Sequence, residues 1–154
     1  MGITPFKEVY NLFLSKITDD MYIELTEEET NSMLAELLIS AIPHFEFPRV
    51  NIFDYSQLLE EFNVELSFEE KDILSIYMIV EWLGQQLANI DNIRQKYSGT
   101  DFKFTSQAAH IKQLTSLKEK YEQEGFHLQR LYKRRKVDKN GKICSTLGQI
   151  MEII

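Results

Sequence analysis

Ser67-Phe68-Glu69-Glu70-Lys71-Asp72-Ile73-Leu74-Ser75-Ile76-Tyr77-Met78-Ile79-Val80-Glu81-Trp82-Leu83 decides the fold of this chain. Ser67 followed three residues later by Glu70 is a capping box, in which each side chain accepts the other residue's backbone N–H and satisfies donors that a helix start leaves unpaired. From position 73 to 83 the run is apolar on most sides, which suits a helix covered by other elements rather than one resting on a surface. The pattern predicts a central buried helix with Met78 and Trp82 in the core, continuing through Leu87 and Ile90 to about Lys96, where Ser98-Gly99 breaks it. Ser75 and Glu81 interrupt the run well short of the roughly 18 to 20 apolar residues that a bilayer span requires.

Two amphipathic helices are expected before this centre. Thr4 is placed as N-cap and Pro5 at the first helical position, with Phe6, Val9, Tyr10, Phe13 and Ile17 forming one apolar face up to about Lys16 or Ile17. Thr26 and Glu29 form a second capping box. Met33, Leu34, Leu37, Leu38, Ala41 and Ile42 line the buried side of that helix, and Pro43 ends it. Between positions 43 and 66 the rhythm weakens. An extended loop or short strand is expected through Phe53, then a brief helical turn over residues 55 to 62.

Beyond the centre, Asp101-Phe102-Lys103-Phe104 alternates, and Thr105 or Ser106 offers an N-cap for a long last helix. Ile111, Leu114, Leu117, Tyr121 and Leu128 keep the helical rhythm past Gly125, which weakens it by about 1 kcal/mol relative to alanine. Asn140-Gly141 is a turn signal, and residues 143 to 154 mix polar with apolar types. No repeat or sustained heptad is present. The expected fold class is therefore mainly α: a small helical bundle around a central apolar helix with an extended or disordered terminal arm. Residues 1–132 form the helical domain and 133–154 a basic and apolar arm.

A chain of 154 residues, 44% hydrophobic and 27% charged, suits one folded domain rather than a disordered chain. The N-terminal residues lack the pattern of a secretory leader. Cys144 is the sole cysteine, which excludes an intrachain disulfide and fits a reducing compartment. Charge is unevenly spread: residues 1–100 carry 18 acids against 6 Lys or Arg, whereas residues 128–142 hold 7 basic residues and only Asp138 as acid. An acidic body repels the phosphate backbone. The cluster Arg130, Lys133, Arg134, Arg135 and Lys136 suits phosphate or an acidic protein face, with a simply solvated arm as the plainer alternative.

Chemistry is thinly signalled. His44, His110 and His127 are scattered, so no metal set can be named, and the isolated glycines form no phosphate-cradling loop. The acidic pairs Asp19-Asp20, Glu60-Glu61 and Glu69-Glu70 read as solvated helix starts. No catalytic, cofactor or metal site is expected, and the chain is read as a non-enzyme.

The stretch from Leu66-Ser67-Phe68-Glu69-Glu70 to Glu81-Trp82-Leu83, with Asp101-Phe102 and Ser106-Gln107-Ala108-Ala109-His110-Ile111, resembles a family of small head-tail connector or neck proteins of tailed bacteriophages infecting low-GC Gram-positive bacteria. The resemblance covers about residues 45 to 130. It implies a structural virion subunit made in the host cytoplasm and placed in the virion neck. There it would form a homo-oligomeric ring joining portal protein to tail or neck proteins, with DNA passing through and no membrane contact. Within that reading Arg130, Lys133, Arg134, Arg135 and Lys136 are expected to pair with acidic partners, and Ile143, Leu147, Ile150 and Ile153 to dock as an apolar arm. The competing expectation is a small nucleic-acid-binding regulator using the basic C-terminal segment.

Overall fold

The computed structural model describes residues 2–17, 27–96 and 104–146. In chain order these form β1 (Thr4–Pro5), α1 (Phe6–Lys16), α2 (Glu27–Ala41), a single 3₁₀ turn (Ile42–His44), β2 (Tyr55–Ser56), β3 (Glu61–Phe62), α3 (Phe68–Lys96), α4 (Phe104–Arg134), β4 (Arg135–Val137) and β5 (Ile143–Ser145). The chain is mainly helical, as expected. α3 is its centre: residues 73 to 80 are all buried, with α1, α2 and α4 packed around them.

The capping box forms as read. Ser67 N–H donates to Glu70 Oε1 at 2.8 Å and Glu70 N–H to Ser67 Oγ at 3.3 Å. Trp82 and Met78 are core residues, Trp82 meeting Phe13 of α1 edge-on at 6.5 Å. α3 ends at Lys96 and α1 at Lys16. The Thr26 cap, Ser98-Gly99 and residues 101–103 lie outside the described residues.

Three local readings are corrected. Thr4 does not cap α1: its hydroxyl donates to Val64 O at 3.0 Å and accepts Leu66 N–H at 2.9 Å, while Pro5 occupies the N-cap. The first N–H of α1, on Phe6, is instead taken by Glu60 O at 2.8 Å. Residues 55 to 62 form a β-hairpin rather than a helical turn, with β3 paired antiparallel to both β2 and β1. The physical reason is that Tyr55 and Phe62, seven apart and so in helical register, face each other across the hairpin and both pack on Phe6, at 5.9 and 4.8 Å between ring centres. Leu58 and Leu59 therefore sit at the exposed turn, where Glu60 takes a positive φ of 50°. Finally, α4 begins at Phe104, so Thr105 and Ser106 lie inside its first turn rather than capping it.

α3 and α4 run antiparallel, since Glu70 faces Tyr132, Tyr77 faces Gln129, and Gly84 faces Lys118. At 1.5 Å per residue their 29 and 31 residues give lengths of about 43 and 46 Å. Ile111, Leu114, Leu117 and Tyr121 of α4 are only half-buried, while the fully buried side chains of this helix lie in its last turns. One end of the pair is thus seated in the core, the base of the molecule.

Candidate partner-binding surfaces

At the base, α4 is fastened to α3 and to the loop after α2 by buried polar groups. Gly125, Gln129 and Tyr132 share one face of α4, spaced four and three apart. Gln129 Nε2 donates to Tyr77 Oη at 2.7 Å and to His44 O at 2.9 Å, and its Oε1 accepts Glu46 N–H at 2.9 Å. Both amide hydrogens and the amide oxygen are thus directed at fixed partners in this buried place. His44 lies flat on the Tyr77 ring at 5.0 Å, and its Nε2 is 2.5 Å from Glu81 Oε1.

Tyr132 is the second fastening. Its hydroxyl donates to Glu70 Oε2 at 2.9 Å and accepts Arg49 N–H at 2.8 Å. The Arg49 guanidinium stacks over the ring at 3.9 Å while its Nη2 donates to the carbonyls of Tyr132 and Arg135. Arg49 therefore satisfies carbonyls at the C-terminal end of α4, where a cation also complements the helix dipole. Burial first, with the Glu70 carboxylate adding to it against the opposing influence of Arg49, raises the Tyr132 pKa above its ordinary value. Glu70, only 4% exposed, serves both the α3 cap and this joint.

The hairpin β4–β5 leaves from this fastening. Arg135 pairs with Ser145, Lys136 with Cys144 and Val137 with Ile143. Its root is tied back by Thr146 N–H to Arg134 O at 2.7 Å. Its turn uses Asn140-Gly141 as read, with Gly141 at φ 78°. Asp138 Oδ1 accepts the N–H groups of Lys142 and Asn140, which, with Cys144 and Lys136 nearby, hold its carboxyl below the usual range.

The cations named from sequence separate into two groups. Lys133 is engaged within the molecule, 3.0 Å from Glu46 and 4.3 Å over the Phe47 ring. Arg135 Nη2 stands 4.0 Å from Glu69 Oε1, a long ion pair without a hydrogen bond. Arg130 lies 5.9 Å over Phe126, and neither it nor Arg134 or Lys136 has a carboxylate within 4 Å among the described residues. Ile143 is exposed on the hairpin, whereas Leu147, Ile150 and Ile153 lie outside the described residues. Sequence reasoning missed Arg49, Gln129 and Tyr132 as the fastening, for none stands in a motif. It also missed the exposed Phe53, Leu58 and Leu59.

Among the described residues no group of three or more His, Cys, Asp or Glu side chains is placed to hold a metal ion. No helix among them is long and apolar enough to cross a membrane. An open groove between α3 and α4 is lined by His44, Glu81, Gly84, Gln85, Lys118 and Glu122, with Lys118 and Glu122 paired to each other at 2.8 Å. No protein-family model, curated protein or solved structure matches the chain.

Proposed function

We propose that this chain is a structural subunit of a tailed-phage neck, a connector that assembles as a ring between portal and tail around the DNA exit channel. The observation that carries an assembly role is the fastening of the β4–β5 root. A buried tyrosine, a buried glutamate and an arginine hold in place a hairpin whose own outward face, Val137 and Ile143, is exposed among the described residues. Polar networks of this kind specify geometry more than they add net stability. A fixed, basic and apolar projection suits a protein partner. The station in the neck rests on the resemblance of residues 45 to 130 alone.

Electron microscopy of particles from the phage or host that encodes the chain tests the reading. The expected result is ring density between portal and tail that fits the α3–α4 pair. Absence of the chain from particles sinks it. The second reading, a nucleic-acid-binding regulator, is favoured by Arg130, Arg134 and Lys136 having no carboxylate within 4 Å among the described residues. It requires duplex binding by the purified chain that weakens steeply with added salt.

A further inference from the structure

The base carries two exposed apolar surfaces of opposite charge. One is the β2–β3 turn, where Leu58 is 94% exposed and Leu59 65%, with Phe53 at 61% close by in sequence. Residues 53 to 65 contain Asp54, Glu60, Glu61 and Glu65 and no basic residue. The other is the β4–β5 hairpin. Val137 and Ile143, 61% and 64% exposed, stand directly opposite each other in the ladder and so share one face. Arg134, Lys136, Lys139 and Lys142 make the hairpin and its root basic, with Lys136 on the opposite face of the ladder from the apolar pair, and the one acid, Asp138, is occupied by the turn's own N–H groups. A two-stranded hairpin is marginal in water by itself, and a paired apolar face on it gains by being covered.

We propose that the β4–β5 hairpin of one copy docks on the β2–β3 turn of a second copy of this chain, with Val137 and Ile143 against Leu58 and Leu59. The inference rests on the connector reading and gives it a contact. Each surface finds on the other both the apolar contact and the opposite charge it lacks, so a second copy is a complete complement. Nucleic acid would engage the lysines and leave Val137 and Ile143 in water. Because the two surfaces differ, each copy that uses one still offers the other, and such a head-to-tail contact repeats until it closes. Thr4 ties the first sheet to the segment entering α3, and Thr146 ties the second to the end of α4, which lies beside that entry. Both surfaces therefore lie at the base, and neighbouring copies meet base to base. The charges set register and encounter rate, and the four apolar side chains hold the contact.

The test uses the full chain with a photo-cross-linking residue at Leu58, mixed with an equal amount of isotopically heavy chain at about 1 mM. The expected result is heavy-to-light cross-links joining position 58 to residues 135–145. Leu58→Asp and, in the cross-linker chain's partner, Ile143→Asp are both exposed changes that leave the circular dichroism spectrum intact. The first is read by sedimentation and the second by cross-link yield, and each is expected to lower association about tenfold or more. Lys136→Glu with Lys139→Glu abolishes self-association, as does Glu61→Lys with Glu65→Lys, and mixing the two double variants restores it. Cross-links confined to one copy, cross-links to other segments only, or none at this concentration overturn the contact. So does capture of duplex DNA instead of protein by a cross-linker at Ile143. Particles that contain the chain in the neck without this cross-link remove the contact and keep the connector reading; the cross-link in a chain absent from particles does the reverse.

Discussion

Gly125 shows how one residue can carry opposite meanings in a helix and in a fold. By propensity it weakens α4, yet a Cβ there would lie 2.8 Å from Tyr77 Cζ. Tyr77 has little room to give way, being stacked on His44 and hydrogen-bonded to Gln129. Gly125→Ala is therefore expected to destabilise the protein by about 1–2 kcal/mol despite the better helix former, because overpacking outweighs propensity; urea unfolding measures it. Tyr132→Phe removes one oxygen and leaves both Glu70 Oε2 and Arg49 N–H without that partner in a buried joint, an expected loss of about 1–3 kcal/mol. Tyr10→Phe gives up only a 3.5 Å contact with Glu60 and should cost less. Burial is the leading cause of raised pKa values at Tyr10, Tyr77 and Tyr132. Above about pH 10 the unfolded chain loses tyrosine protons that the folded chain keeps, so stability is intact below that pH and falls as pH rises through it. Tyr132→Phe is expected to make the alkaline decline shallower, read from urea midpoints between about pH 9 and 11.

Among the elements, α3 was legible in full because its signals are local: a capping box at one end and a largely apolar run behind it. Ser67→Ala is expected to cost about 1 kcal/mol, since it strips the acceptor from Glu70 N–H while Glu70 keeps Tyr132, and thermal unfolding of the variant checks it. The turn of β4–β5 was legible for the same reason, because Asn140-Gly141 suits a backbone that needs φ above zero. β1, β2 and β3 were not legible. Each is two residues long, and the apolar spacing of Tyr55, Leu58, Leu59 and Phe62 fits a helix equally well. What separates the alternatives is Phe6, distant in sequence, whose ring offers both aromatics one site. Thr4 was misplaced by the same kind of remote choice, its hydroxyl finding Val64 and Leu66 instead of its own helix.

For the molecule as a whole, burial is graded along the α3–α4 pair. Hydrogen exchange is expected to be slowest in peptides covering 73 to 83, where side chains are almost wholly buried, and faster in peptides covering 108 to 120, where none is. Equal protection along both helices in the purified chain would contradict this gradient. The polarity of charge along the chain was plain in the sequence, but its arrangement was not. Lys133 and Arg135 are drawn to Glu46 and Glu69, while Arg134 and Lys136 are not, and the packing of the 44–49 loop and of the start of α3 against the end of α4 decides which. By itself the sequence determined the helical class, the identity of the central helix, the turn at Asn140-Gly141 and the basic character of the C-terminal segment. These follow from spacing, capping and composition, which act between neighbours in the chain. Tertiary structure alone decided the Arg49, Gln129 and Tyr132 fastening, the three-stranded sheet, and the exposure of Leu58 and Leu59 opposite in character to the basic hairpin. Those depend on partners some 50 to 90 residues apart, and a long-range contact is set by which surfaces meet in space rather than by any local pattern.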